Sequence, residues 1–284
     1  MKKPREKREA QRQYVQSRTN NMVLDYRVYV LSQWEQVGYF LLAFAVGAAV
    51  GYIFYGDLFL RDGLPTSATR ISNLVVCCGA GVLAGVLFLP IRTRQLLKKR
   101  QDALRNQFRD LLSSLASSLS SGKNVREAFL NVRDDLLLQY TEGAHILREV
   151  DEILTGLQNN IPIEALLADF AQRTGNSDII NFSSVFEVCY RRGGSLKDVV
   201  RRTHEVISEK MACTDEIETR LASNRSQLNI MSVMPIAIIA LLRFTNQGFA
   251  QNFSQPAGVA AITVGIAIFL FSYRLGQKII RVKE

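Results

Sequence analysis

The side chains able to do chemistry in this 284-residue chain are few and poorly spaced for it. His145 and His204 lie in amphipathic stretches, and neither has a cysteine or a second histidine at metal-ligand spacing. Cys77 and Cys78 are adjacent within an apolar run and so point to different faces of a helix, while Cys189 and Cys213 fall in a segment assigned below to a reducing compartment. Neither a disulfide nor a zinc site is expected. Asp134-Asp135 and Asp151-Glu152 have the residue types of acid/base dyads, but neighbouring helix positions diverge by about 100°. A solvated helix face, equally able to meet a partner, accounts for them. No G-x-x-x-x-G-K-S/T loop is present, so ATP hydrolysis would fall to a partner; Gly193-Gly194 reads as a helix stop followed by a cap rather than a phosphate loop. The chain is expected not to be an enzyme, with no catalytic residue, cofactor or metal ligand.

With so little chemistry, the elements carry the information. Four stretches hold no charge: 37–56, 71–91, 226–242 and 244–273. Crossing hydrocarbon takes about 20 apolar residues in a helix. Residues 38–55, GYFLLAFAVGAAVGYIFY, lack the polar stripe that a core helix of a soluble protein carries. An all-α integral membrane protein is expected, with transmembrane helices at 37–56, 71–91, 226–243 and 256–273. External loops would then lie at 57–70 and 244–255. About 36 mostly polar residues precede the first apolar run, which disfavours a signal peptide. Pro235 in the third run is either a hinge or a tolerated kink, and Arg243 at its edge can snorkel to water. Gly47/Gly51 and Gly81/Gly85 both fit G-x-x-x-G, allowing close approach between spans or between protomers.

Lys and Arg outnumber Asp and Glu eight to four in residues 1–36, twenty to nineteen in 92–225, and four to one in 274–284. Arg92, Arg94, Lys98, Lys99 and Arg100 follow the second apolar run directly. The positive-inside rule puts both termini and the 92–225 region in the cytoplasm, with a basic arm at 1–36 and a short tail at 274–284. Nucleic acid is not an expected partner, because the only sizeable domain is almost neutral; the surplus cations suit anionic lipid headgroups. Residues 23–34, VLDYRVYVLSQW, space Tyr26, Val30 and Trp34 helically, as an interfacial juxtamembrane helix or as a continuation of the first span.

The 92–225 region reads as a bundle of six helices. Leu104, Phe108, Leu111, Leu112, Leu115 and Leu119 form one stripe ending at Gly122, and Asn124 caps the next helix. Residues 142–158 follow with Ile146, Val150, Ile153, Leu154 and Leu157; Pro162 opens a short helix stopped near Gly175. Ser177 is the expected cap of a helix through Arg191, with Ile179, Ile180, Phe182, Phe186 and Cys189 available for burial. After the Ser195 cap no Gly or Pro occurs until Pro235, so one helix is expected to run from Leu196 into the third span. Gly122 before Asn124, and Gly193 before Ser195, look like one helix–glycine–helix unit used twice.

The segments LLSSLASSLSSGKNVREAFLNV (111–132) and RTGNSDIINFSSVFEVCYRRGGSLKDVVRRTHEVI (173–207) resemble the cytoplasmic domain of the type II secretion system F family, the inner-membrane platform proteins of secretion systems and type IV pili. IETRLASNRSQLNIMSVMP (217–235) and DYRVYVLSQWE (25–35) are similar to the Tad (tight adherence) pilus branch. A single copy of the domain between two span pairs, and Arg191-Arg192 where many secretion-type members carry Gly-Glu, favour that branch. The resemblance implies a platform in the bacterial cytoplasmic (inner) membrane that couples a hexameric cytoplasmic secretion ATPase to pilin or pseudopilin extraction and filament assembly. It also implies self-association and a second platform subunit. Gly122, Lys123, Arg191, Arg192, Gly193 and Gly194 match the family's two signatures, as partner contacts or as turns that set helix crossings. The rival readings are a transporter's membrane subunit and a membrane-anchored scaffold unrelated to pili.

Overall fold

The computed structural model describes residues 13–56, 67–245 and 256–282. Residues 1–12 and most of the two expected external loops, including Gly63 and Pro65, lie outside them. The chain is mostly helical. A short antiparallel hairpin, β1 (Tyr14–Gln16) and β2 (Met22–Leu24), pairs Val15 with Val23. Eight helices follow among the described residues: α1 (Gln33–Tyr55), α2 (Ser67–Ser120), α3 (Val125–Gln139), α4 (His145–Gln158), α5 (Ile163–Thr174), α6 (Ser177–Arg192), α7 (Leu196–Thr245) and α8 (Pro256–Val282). Of these, α1, α2, α7 and α8 contain stretches long and apolar enough to cross a membrane.

Two of these helices are far longer than a span. The second apolar run and the 104–119 stripe are one helix, α2, which continues through Pro90; proline costs that helix one amide donor, and no glycine stands between Gly85 and Gly122 to end it. As expected, α7 likewise runs without a break from Leu196 through Pro235.

The chain divides into two compact units. The first joins the residues up to Ser32 with Arg92–Cys213. Its core follows the expected stripes: Leu104, Phe108, Leu111, Leu112 and Leu115 of α2 are buried against α3 to α6, with the Phe108 ring 5.5 Å from Phe182 and 6.1 Å from Phe170. Ile180, expected inside, is exposed, because Ile179, Phe182 and Phe186 already define the buried face of α6. The cap of α6 is Asn176, whose side chain accepts from the Asp178 amide, so Ser177 becomes the first helical residue instead of the cap.

The largest departure concerns residues 23–32, which form no helix, interfacial or continuous with α1. They dock on the helical unit through a buried polar cluster. Arg173 of α5, with its side chain 5% exposed, forks onto Glu149 of α4 at 2.8 and 2.6 Å and also donates to the Leu24 carbonyl. Tyr26, 1% exposed, donates from its hydroxyl to Glu149 at 2.9 Å, and its amide bonds to the Arg173 carbonyl. The helical spacing of Tyr26, Val30 and Trp34 is thus overridden by a buried charge pair that needs Tyr26 as a third partner. Ser17, Thr19 and Asn21 of the hairpin all donate to Glu152.

The second unit gathers Gln33–Ile91 and Thr214–Glu284. Here both G-x-x-x-G pairs are used within one chain. A Cβ on Gly47 would stand 2.5 Å from Ala84 Cβ and 2.8 Å from the Ala80 carbonyl, while Phe44 and Phe40 lie over Gly81 and Gly85. The small residues therefore seat α1 against α2.

Three measurements follow from this packing. Gly47→Ala should destabilise the protein in detergent by about 1–3 kcal/mol by denaturant titration, since backbone must shift, whereas Gly79→Ala meets open space and should be neutral or slightly stabilising. Arg173→Met, which strands a buried carboxylate, should cost about 3–5 kcal/mol, against about 1 kcal/mol for Tyr26→Phe; equal losses would contradict the ion-pair account. Burial raises the Glu152 pKa, but hydrogen bonds from Ser17, Thr19 and Asn21 outweigh it and hold the group below its ordinary 4.5. Its contribution to hairpin docking is therefore complete above pH 4.5 and disappears as pH falls through the lowered value, so amide exchange over residues 14–24 should accelerate there first.

Candidate functional site

Within the first unit, α3 packs on α4, α4 on α5 and α5 on α6, and residues of three helix connections line one depression. Each connection closes a helix with a residue in the left-handed region. At the end of α2, Gly122 has φ +80°, its amide bonds to the Leu119 carbonyl (3.1 Å) and the Lys123 amide bonds to the Ser118 carbonyl (3.3 Å). At the end of α6, Gly193 has φ +72°, and the Gly193 and Gly194 amides both donate to the Cys189 carbonyl. At the end of α4, Asn160 has φ +58°, with its amide on the Leu157 carbonyl and the Ile161 amide on that of Gly156. All three turns satisfy orphan carbonyls of a helix terminus, the first and last through two carbonyls and the Gly193 turn through the Cys189 carbonyl alone. New helices start at once: the Asn124 side chain accepts from the Glu127 amide (2.9 Å), and Ser195 Oγ accepts from Asp198 (3.4 Å). Both places share a left-handed glycine followed two residues later by a side-chain cap, while the glycine amides bond differently.

Between the three turns lies an open depression of about 810 Å³, at the end of the unit away from residues 92 and 213. Its floor is apolar: Leu119, Val125, Leu157, Ile161 and Leu196 are partly buried and pack on the core. Of the six predicted turn residues only Lys123 is in its lining; Gly122, Arg191, Arg192, Gly193 and Gly194 are not, and the second turn is flanked by the lining residues Tyr190 and Leu196. Lys123 and Tyr190 line it, and Arg191 reaches the lining residue Glu164 at 3.4 Å while also pairing with Glu187 at 3.3 Å. Arg191 is 64% exposed, so these pairs are worth at most about 1 kcal/mol. Lys123 and Arg126 of the lining, and Arg192 and Lys197 near the second turn, are exposed and make no ion pair among the described residues. Glu164 differs from them: its side chain is 13% exposed, and Oε2 is buried without a hydrogen-bond donor among the described residues.

The third wall, residues 160–164, was missed by sequence reasoning, which used Pro162 only as a helix start. The available signal was Asn159-Asn160 followed by Pro162, since asparagine tolerates the left-handed region and proline follows helix ends.

The other residues singled out by type are dispersed. His145 is half-buried, edge-on to the Tyr26 ring at 5.5 Å, and burial together with Arg100 and Arg148 lowers its pKa. His204 Nδ1 lies 3.2 Å from the Arg109 carbonyl and donates to it, tying α7 to α2. Asp135 accepts from Ser114 and Asp151 from Arg133, while Glu152 holds the hairpin. The four cysteines are free.

No family model matches the chain, and neither does any curated protein or any solved structure.

The two glycines of the turn between α6 and α7 should respond differently to substitution. Gly193→Ala should cost about 1–2 kcal/mol because its φ is +72°. Gly194→Ala, whose Cβ would meet only Cys189 at 3.4 Å, should cost less than half of that in the same denaturation experiment.

Proposed function

We propose that this chain is a platform protein of a Tad-type type IV pilus or a related type II secretion-like system, coupling a cytoplasmic assembly ATPase to pilin extraction and filament assembly. It has no catalytic chemistry of its own in this reading. It sits in the bacterial cytoplasmic membrane through four spans, with both termini and the 92–225 region inside the cell. Its partners are the hexameric ATPase, pilin or pseudopilin, a second platform subunit and membrane lipids.

The observation that carries the proposal is the convergence of the two turns that bear the family resemblance. Lys123 of the first turn and the residues flanking the second, Tyr190 and Leu196, line one depression, and α2 and α7 continue unbroken into apolar stretches. An α-helix rises about 1.5 Å per residue, so the part of α2 beyond residue 91 is a lever of about 40 Å. A displacement applied at the turns would be carried along both helices instead of being absorbed in a loop. The membrane assignment is supported by four helices of sufficient length and hydropathy.

The test is co-purification of the full chain from membranes. Charge reversal at Arg191 and Arg192 should reduce recovery of the ATPase at least fivefold while membrane insertion and pilin recovery persist. Digestion of the 92–225 region by protease added to intact cells would invert the topology and end the proposal.

A further inference from the structure

We infer that the depression between the three turns receives a short acidic segment of the motor partner, anchored by one large apolar side chain and donating a hydrogen bond to Glu164. This deepens the platform reading and rests on it. A volume of about 810 Å³ lies within the roughly 300–1,000 Å³ of sites that enclose a compact ligand, so a loop tip or a single helical turn fits, and a domain does not.

Three features fix the chemistry of the occupant. The floor of Leu119, Val125, Leu157, Ile161 and Leu196 is already packed on the core and leaves apolar surface open to water, which an apolar side chain would cover. The lining holds two cations, Lys123 and Arg126, against the one carboxylate of Glu164, and neither cation has an ion-pair partner among the described residues. That excess favours an acidic approach and speeds encounter. Glu164 Oε2, buried and lacking a donor, calls for an N–H or O–H from whatever enters; the backbone amide of the segment supplies one. A nucleotide or free phosphate fits badly, because its anionic oxygens would meet the Glu164 carboxylate over an apolar floor.

The experiment uses the full chain in phosphatidylcholine nanodiscs and the purified assembly ATPase, with affinity measured by biolayer interferometry at 50 and 300 mM salt. Lys123 and Arg126 are exposed and make no ion pair among the described residues, so the Lys123→Glu/Arg126→Glu variant should fold normally. It should bind at least tenfold more weakly and lose most of the salt dependence. Glu164→Ala should also weaken binding at least fivefold. Arg202→Glu, on the exposed face of α7, serves as the control and should bind like the parent. A photo-crosslinker at Tyr190 should capture a stretch rich in Asp and Glu around an aromatic or leucine residue. Unchanged affinity in both site variants, or capture of a basic stretch, would overturn this inference and leave the platform reading standing. Absence of ATPase binding to the parent chain would overturn the platform reading and this inference with it.

Discussion

A hydrogen-bond ladder closed within the helix itself is the constraint on which this structure depends. Because α2 and α7 satisfy their backbone groups internally, each can pass from a charge-free stretch to an amphipathic one without a change in bonding. Pro90 and Pro235 each remove one donor from that ladder, and neither ends it. At Arg92 and at Cys213 the chain is continuous helix, whereas the stretch before Gln33 is not helical.

At the other end of the unit the same backbone rule acts in reverse. Helix ends leave carbonyls without partners, and the C-termini of α2, α4 and α6 solve this with left-handed residues at Gly122, Asn160 and Gly193. Such closures are tight, so the following helices start within a few residues and all three turns stay close to the core. What remains between them is a depression with an apolar floor, a cationic rim and one buried carboxylate oxygen without a donor. Elsewhere in the unit the buried Arg173 is satisfied by Glu149 and Asp169. Those carboxylates raise its affinity for the proton despite burial, and the cluster uses Tyr26 to bring the N-terminal hairpin into the fold.

Much of the helical layout was legible in the sequence because burial periodicity and punctuation agree. The stripe from Leu104 to Leu115, the Gly122 stop and the Asn124 cap are local signals, each readable within a few residues. The region around Tyr26 was not legible. Its spacing suits an amphipathic helix, but its partners, Glu149 and Arg173, lie more than 120 positions away. Likewise nothing local ties Asn160 to Gly122 and Gly193.

By itself the sequence determined where the chain is apolar and where most helices of the 92–225 region begin and end, since these depend on composition and near neighbours. Tertiary structure alone decided that the G-x-x-x-G pairs join α1 to α2, that residues 13–32 fold onto the helical unit, and that three turns share one depression. The physical reason is that helix ends and small residues are specified locally, whereas which of them meet depends on how the helices pack in three dimensions.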